Sequence, residues 1–310
     1  MLQLNKDNQF RILVIADIQV WIPLSSDKQS YIRKLIQTAS PDLIVLLGDM
    51  VCGPLMLTKR RIHAVIHSIL APIWESGIPY AFISGNHDRD ARISLEDQIH
   101  IYRENPNCIT PLLSERDCKG AYVVEIMNNN NNEIAKLLFI DNGATQITLR
   151  GVQYFPADKT QLNYTQRLLQ EEVKTPIFVF QHVPVPEIYQ LIEVKDAFSN
   201  GSVRGHGPYR GKYLSLKNGI DGILGEAPCP SWTNTQQFMD WKNSRKVAAA
   251  IFGHDHKNSF RGEVGGVSFV QVSCAGLTCY GTDSLRGGQL LTLYSNGEWS
   301  TRPLYYRDIM

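Results

Sequence analysis

The sequence predicts an α/β protein in which helices cover the faces of a parallel β-sheet. Short apolar runs rich in β-branched residues alternate with amphipathic segments, an order typical of β-α-β-α-β units. Ligand-type polar side chains follow several of these runs, where a parallel sheet presents its functional loops. The chain has 310 residues, which is long enough to bury a large core.

The first part of the chain carries the β-α-β-α-β order. Apolar runs at 12–16, 43–47 and 80–83 are predicted strands. Residues 27–38 and 61–74 are predicted helices, because their apolar positions recur at helical spacing. We therefore expect three neighbouring parallel strands joined by two helices.

The rest of the chain carries further strand signals without a linker, a repeat or a domain boundary. Predicted strands lie at 121–127, 136–140, 177–180, 248–252, 267–272 and 290–294. The asparagine tract 128–132 is a predicted hairpin turn, and the glycine-rich region 200–225 a predicted long surface loop. We expect one domain over residues 1–310, with a motif core at about 11–273 and C-terminal strands in 286–310 that complete a sheet.

Composition excludes some partners. The net charge is +1 and no Lys/Arg block stands out, so neither long nucleic acid nor a membrane surface is an expected partner. No apolar run reaches the ~18 residues of a membrane helix. The six cysteines form no Cys-x-x-Cys pair and no signal peptide is visible. Reduced thiols in a cytoplasmic protein are therefore expected.

Five predicted strands end in carboxylate, amide or imidazole side chains. In chain order these are Asp17, Gln19, Asp49, Asn86, His87, Asp88, His182, His254 and His256. Each motif alone has an ordinary explanation, such as a turn at Gly48-Asp49 or a hydrogen-bonded core imidazole at His182. Imidazole and carboxylate suit Zn, Fe and Mn, with amide oxygen as a harder auxiliary ligand. The ordered set predicts a metal site at the top of a sheet.

This set resembles the calcineurin-like metallophosphoesterase superfamily over about residues 11–273. The family order is Asp-x-His, Gly-Asp, Gly-Asn-His-Asp/Glu, His and Gly-His-x-His, and four of these five motifs stand intact here. The stretches at 41–45 and 225–230 look like the purple-acid-phosphatase-related branch, which includes the plant type-29 proteins and the yeast dose-dependent cell-cycle regulator phosphatase. The resemblance implies a four-layer αββα sandwich with two mixed β-sheets.

The resemblance also implies two divalent or trivalent metal ions, drawn from Mn, Fe, Zn and Mg. Asp17 and His256 would bind the first ion, and Asp49 would bridge both. The second ion would be bound by Asn86, His182 and His254. His87 would contact the phosphate or the leaving oxygen, and Asp88 would hold His87 in orientation.

The first motif departs from the family, because Gln19 stands where the family most often has histidine. An amide oxygen is a weaker ligand than imidazole for transition metals. Purple acid phosphatases instead use a tyrosine three residues after the bridging aspartate, and that position is Cys52 here. The first metal could take Gln19, Cys52, water or nothing, and a packed, inert Cys52 is the expectation.

The implied activity is hydrolysis of a small phosphate ester by metal-bound hydroxide. A small-molecule phosphodiesterase stays open as an alternative. So does a non-catalytic scaffold that has lost one metal site, for which Gln19 is the only support. An oligomeric state does not follow from the sequence.

Several other polar residues have two interpretations. Arg204, His206 and Arg210 could form a substrate lid or lie on a solvated loop. Asp141 and Asn142 could face the site or begin an ordinary turn. His63 and His67 are four apart on a predicted helix, but no third ligand is nearby in the sequence, so they are interpreted as surface residues.

Overall fold

The computed structural model describes residues 2–55, 58–148, 151–171 and 175–310. Eighteen strands lie within these residues: β1 (Leu2–Gln3), β2 (Gln9–Ile15), β3 (Leu43–Leu47), β4 (Tyr80–Ile83), β5 (Ala121–Met127), β6 (Glu133–Ile140), β7 (Thr145–Thr148), β8 (Gly151–Tyr154), β9 (Ile177–Gln181), β10 (Ile192–Lys195), β11 (Val203–Arg204), β12 (Tyr213–Leu216), β13 (Asp221–Ile223), β14 (Val247–Phe252), β15 (Ser259–Val264), β16 (Val267–Gln271), β17 (Gly287–Tyr294) and β18 (Trp299–Tyr305). Seven α-helices accompany them: α1 (Ser26–Ala39), α2 (Lys59–Ser76), α3 (Asn86–Arg89), α4 (Leu95–Tyr102), α5 (Lys159–Gln170), α6 (Gln237–Ser244) and α7 (Tyr306–Ile309).

A five-stranded sheet has the order β18-β17-β2-β3-β4. Strands β2, β3 and β4 are parallel neighbours, which confirms the predicted β-α-β-α-β unit. Every residue of β3 is apolar and buried, because both faces of this strand are covered. Ile44 and Leu46 pack towards the helices, whereas Val45 and Leu47 face the second sheet, as the alternation of side chains along a strand requires.

A second sheet has eight strands in the order β1-β5-β6-β9-β14-β16-β15-β13. Its centre is parallel, through the pairs β6 with β9, β9 with β14, and β14 with β16. The predicted hairpin is confirmed, since β5 pairs antiparallel with β6 and the Asn128 N–H donates to the Asn132 carbonyl across the turn, at 2.8 Å.

The two sheets pack face to face, and helices cover both outer faces. Val14 and Val45 of the first sheet share the central core with Phe180 and Ile251 of the second. The first outer face packs against apolar residues of α1 and α2, and the second against apolar residues of α5 and α6, including the fully buried Trp241. This is the predicted four-layer αββα sandwich with two mixed sheets.

The region 200–225 is not simply a loop, and this prediction was wrong. It contains β11 and β12, which form a three-stranded sheet with β10, and β13, which joins the edge of the eight-stranded sheet. These strands are two to four residues long and lie largely at the surface. They therefore lack the apolar alternation from which a strand is recognised.

The short hairpin of β7 and β8 was not predicted either. Its apolar residues Ile147 and Val152 are exposed, so the hairpin has no buried face that would give its sequence an apolar alternation. No helix among the described residues combines the length and the apolarity needed to cross a membrane.

Candidate metal centre

The ligand-type residues meet because parallel strands of both sheets end at the same edge. Loops after β2, β3 and β4 arrive from the five-stranded sheet, and loops after β9 and β14 arrive from the other. Backbone hydrogen bonds join these loops: the Asp17 N–H donates to the Gly48 carbonyl at 3.0 Å, and the Gly253 N–H to the His182 carbonyl at 3.0 Å. The site therefore lies where two layers of the sandwich come together.

Carboxylate oxygens and imidazole nitrogens approach one another closely in this cleft. The Nε2 atom of His182 lies 3.2 Å from Asp49 Oδ2 and 3.7 Å from Asp17 Oδ1. The Nε2 atom of His256 lies 3.2 Å from Asp17 Oδ1. Three further ligand atoms, one each from Asp49, His182 and His254, all lie within 4.8 Å of one another. These separations suit side chains that share bound cations.

Three buried polar atoms of the predicted metal ligands make no hydrogen bond of acceptable geometry with the described residues, although two of them lie within ion-pair distance of a neighbouring ligand. They are Asp17 Oδ1, Asn86 Oδ1 and His182 Nε2. Buried polar groups are normally paired, because an unpaired one costs about 1–3 kcal/mol. Since these atoms belong to three of the predicted metal ligands, the residues fit a cation that would pair with them.

The opposite sides of two imidazoles are paired with backbone carbonyls. His182 Nδ1 lies 2.8 Å from the Leu47 carbonyl, and His256 Nδ1 lies 2.8 Å from the Tyr280 carbonyl. The Tyr280 ring also stacks on His256 at a centroid distance of 4.1 Å. Such contacts fix the ring and direct the Nε2 lone pair inwards, as in many metal sites. Nothing in the sequence around Tyr280 signals this role.

The cleft concentrates charge in a buried place. Burial lowers the pKa of His182, but the carboxylates of Asp49 and Asp17 outweigh it and raise that pKa to about 10. Burial raises the pKa of Asp49, but the charge of His182 outweighs it and holds that pKa below its usual range. Burial, followed by the charge of His182, lowers the pKa of His254. The carboxylates thus seek positive charge, which bound cations would supply.

Several residues of the centre have a strained backbone. Asp17, Gln19, Asp49 and His254 all have positive φ angles, between 45° and 74°. Residues other than glycine rarely adopt positive φ angles, and such backbone strain clusters at functional sites. Gly85 allows the close approach of α3, since a Cβ atom there would lie 2.2 Å from Asp49 Oδ1.

Comparison with known proteins agrees with this geometry. The profile of the family described as calcineurin-like phosphoesterase matches residues 10–258, most of the chain. The chain belongs to this family. Family membership implies divalent metal ions and supports a phosphoesterase.

Two curated relatives and one solved structure show the range of similarity. "Probable inactive purple acid phosphatase 14" of Arabidopsis thaliana is 25% identical over 90% of this chain and 74% of its own length. "Phosphatase DCR2" of Saccharomyces cerevisiae is 23% identical over 84% of this chain and 46% of its own length. A dimetal phosphatase from Danio rerio has a TM-score of 0.59 at 14% identity, covering 95% of this chain and 98% of that one. The similarity to that structure shows a shared fold.

Among the described residues, the Asp88 carboxylate makes no hydrogen bond to the His87 ring that it was expected to orient. Its two carboxylate oxygens accept four backbone N–H groups, from Asp49 (2.7 Å), Met50 (3.0 Å), Val51 (3.1 Å) and Gly85 (2.9 Å). The Nδ1 atom of His87 is buried without a hydrogen-bond partner among the described residues. Asp88 therefore fixes the loop that carries Asp49. The family resemblance implied the other role, but neighbouring residues of a helical turn such as α3 direct their side chains apart.

The backbone of His87 contacts the centre, because its N–H donates a hydrogen bond to Asp49 Oδ1 at 2.7 Å. Gln19 is placed in the same way, through its N–H to the Asp49 carbonyl at 2.9 Å. Gln19 is only 8% exposed. Burial, followed by the charge of Asp49, raises the pKa of the Cys52 thiol, which accords with an inert thiol in the metal-free protein.

A cavity of about 370 Å³ opens beside His254. Tyr154, Arg204, His206 and Glu226 are among its lining residues. The ring of Tyr154 stands edge-on to His254, at a centroid distance of 4.4 Å. Tyr154 was missed in the sequence because its short hairpin carries no apolar pattern. Two of the three candidate lid residues thus line the cavity, whereas Arg210 is not among the residues that line it.

Asp141 and Asn142 support the strand ends instead of forming a turn or a ligand set. Asp141 Oδ1 accepts the Ser84 N–H at 2.7 Å, and its other oxygen forms a buried ion pair with Arg116. Asn142 donates to the Val183 carbonyl at 2.9 Å and accepts the Val183 N–H at 3.1 Å. These contacts join the ends of β4, β6 and β9.

Proposed function

We propose that this chain hydrolyses a small phosphate ester at a dinuclear metal centre. The observation that carries the proposal is that three buried atoms of the predicted ligands, Asp17 Oδ1, Asn86 Oδ1 and His182 Nε2, make no hydrogen bond with the described residues. A fold that only scaffolds partners would gain by pairing or removing them.

The proposed ligand sets follow from the contacts. Asp17 and His256 would hold the first ion, because their ligand atoms are 3.2 Å apart. Asp49 would bridge the two ions, since its Oδ2 atom lies 3.2 Å from His182 Nε2 and one of its oxygens lies within 4.8 Å of a His254 ring nitrogen. Asn86 would join those two imidazoles at the second ion. When bound, the two ions would supply a hydroxide near neutral pH and offset charge on the phosphoryl oxygens.

His87 is the proposed acid. Its backbone N–H is fixed by Asp49, and its Nδ1 atom has no hydrogen-bond partner among the described residues. The ring can therefore donate a hydrogen bond to a phosphoryl oxygen or a proton to the leaving oxygen. A purely structural histidine would be expected to use its ring nitrogens within the fold.

The size of the cavity supports a small ester as the substrate. Its volume of about 370 Å³ is at the lower end of the ~300–1,000 Å³ typical of small-molecule sites. Arg204 and His206 line it beside His254, so an anionic group of the substrate would meet donors there. A small phosphodiester fits the same description and is the neighbouring alternative.

A non-catalytic scaffold is the second candidate. It is favoured by Gln19, which replaces a family imidazole at the first metal, and an Arabidopsis relative bears the words "probable inactive" in its name. The yeast relative is named as a phosphatase. The unpaired ligand atoms and His87 favour the enzyme, because a scaffold requires neither.

The variant His87→Asn separates these candidates. We expect it to keep the metal content of the wild type and to lower kcat on an alkyl phosphate by ~10²–10⁴-fold, the usual contribution of a general acid. An aryl ester should lose less, because its leaving group needs less protonation. The matched control His100→Asn changes an exposed histidine of α4 and should behave as wild type.

Two results would count against the proposal. If metal-loaded wild type hydrolyses neither monoesters nor diesters, the scaffold is favoured. If His87→Asn retains full activity on alkyl esters, the protein is an enzyme with another acid.

We also propose a cytoplasmic location, supported by six free cysteines. Recovery of the protein in a membrane or secreted fraction would refute it.

A further inference from the structure

A second cluster of ligand-type side chains lies on the outer helical layer, away from the dinuclear centre. His63 and His67 are one turn apart on α2, and Glu104 follows the end of α4. His63 Nε2 lies 2.9 Å from Glu104 Oε1, and His67 Nε2 lies 2.6 Å from Oε2. One ligand atom from each of the three lies within 4.8 Å of the others. The fold thus supplies the third ligand that the sequence around the histidines lacks.

The two imidazoles are held in one orientation. Their rings stack at a centroid distance of 3.9 Å with an interplanar angle of 28°. Trp74 stands edge-on to His67 at 4.8 Å, and its indole N–H donates to the Tyr80 hydroxyl at 2.9 Å. Both Nε2 atoms therefore face the same carboxylate. Binding a shared ion would require little further ordering of these side chains, which lowers its entropic cost.

The spacing suits a tetrahedral cation. With metal–nitrogen bonds of ~2.0–2.1 Å, neighbouring ligand atoms of a tetrahedral site lie about 3.3–3.4 Å apart. The observed contacts of 2.9 and 2.6 Å need to open by only a fraction of an ångström. The side chains of His63, His67 and Glu104 are 44%, 32% and 42% exposed, so solvent can deliver the ion and supply a fourth ligand.

We propose that His63, His67 and Glu104 bind one borderline divalent cation, with Zn²⁺ as the best match. Two imidazoles and one carboxylate favour Zn²⁺ over the hard cations Mg²⁺ and Mn²⁺. On binding, Nε2 of each ring carries no proton and its lone pair faces the metal, while Nδ1 keeps the proton. The ion would join α2 to the segment that follows α4. None of these residues belongs to the dinuclear centre, so the proposal does not rest on the proposed activity.

A pair of hydrogen bonds without any metal is the competing explanation, and zinc titration distinguishes the two. Wild type and the double variant His63→Gln/His67→Gln are titrated with Zn²⁺ by calorimetry, and bound zinc is counted after gel filtration. Glutamine keeps helix propensity at these half-exposed positions and can still donate to Glu104. The double variant should bind one zinc fewer than wild type. The matched control His100→Gln removes an exposed histidine of α4 and should lose none.

A second background isolates the remote site. Asp49→Asn removes the proposed bridging carboxylate, and asparagine tolerates the positive φ of 53° at that position. Asp49→Asn should bind one zinc equivalent more than the same variant with His63→Gln/His67→Gln added. Zn²⁺ should also raise the Tm of Asp49→Asn, because a ligand that binds only the folded state stabilises it, and Glu104→Gln should abolish that shift. Equal zinc stoichiometry with and without the two histidines, or an equal loss in His100→Gln, would overturn the proposal.

Discussion

Replacing Asp88 by asparagine tests whether this carboxylate fixes the loop of Asp49 or acts through His87. Asp88 is fully buried and accepts two N–H groups on each oxygen. An asparagine keeps one carbonyl oxygen and turns its NH₂ group towards two N–H donors. Two buried N–H groups then lose their acceptor, at about 1–3 kcal/mol each. The expected loss in free energy of unfolding is therefore ~2–6 kcal/mol, a large share of the ~5–15 kcal/mol typical of folded proteins.

Urea unfolding of wild type, Asp88→Asn and His87→Asn, in chelator so that metal binding does not contribute, measures this loss. Burial, followed by the charge of Asp49, raises the pKa of Asp88 to about 7, so the measurement is made well above that pH, where the carboxylate is ionised. His87→Asn should change stability by less than ~1 kcal/mol, because the Nδ1 atom of His87 makes no hydrogen bond with the described residues. If Asp88→Asn were as stable as wild type and lost as much activity as His87→Asn, Asp88 would act through His87 and our assignment would be refuted.

Two further predictions concern the metals. Gln19→His should tighten the first ion, because imidazole is the better ligand for transition metals; equal chelator resistance of both ions in wild type would contradict this. In the metal-free protein His182 has a pKa of about 10 against an ordinary value of 6.5. Its proton therefore stabilises the metal-free fold fully below about pH 6.5, and this contribution is lost as the pH rises through 10. At neutral pH a metal must displace that proton, so apparent affinity should rise with pH towards 10 and the binding enthalpy should depend on the ionisation enthalpy of the buffer. A binding enthalpy that is the same in all buffers would exclude proton release.

The parts of the fold that could be predicted from the sequence are those with a strong local pattern. The runs at 43–47, 80–83 and 121–127 match β3, β4 and β5 residue for residue. Strands β3 and β4 are buried along their whole length and are therefore continuous apolar runs, whereas β5 is only partly buried and is recognised from its β-branched and aromatic residues. The small strands β11, β12 and β13 escaped prediction, because they are short and partly exposed. Their formation depends on partners far along the chain, which no local window contains.

The sequence by itself determined where the buried strands lie along the chain and which chemical types of side chain follow them as proposed metal ligands. Both follow from the apolar runs and the residues directly after them. Only the tertiary structure decided which groups meet. Four backbone N–H groups meet Asp88, the Tyr280 carbonyl meets His256, and Glu104 meets His63 and His67. The physical reason is that backbone donors and carbonyls are the same at every residue, so they mark no position in a sequence. A third ligand such as Glu104, 37 residues from His67, becomes a neighbour only when the helices pack.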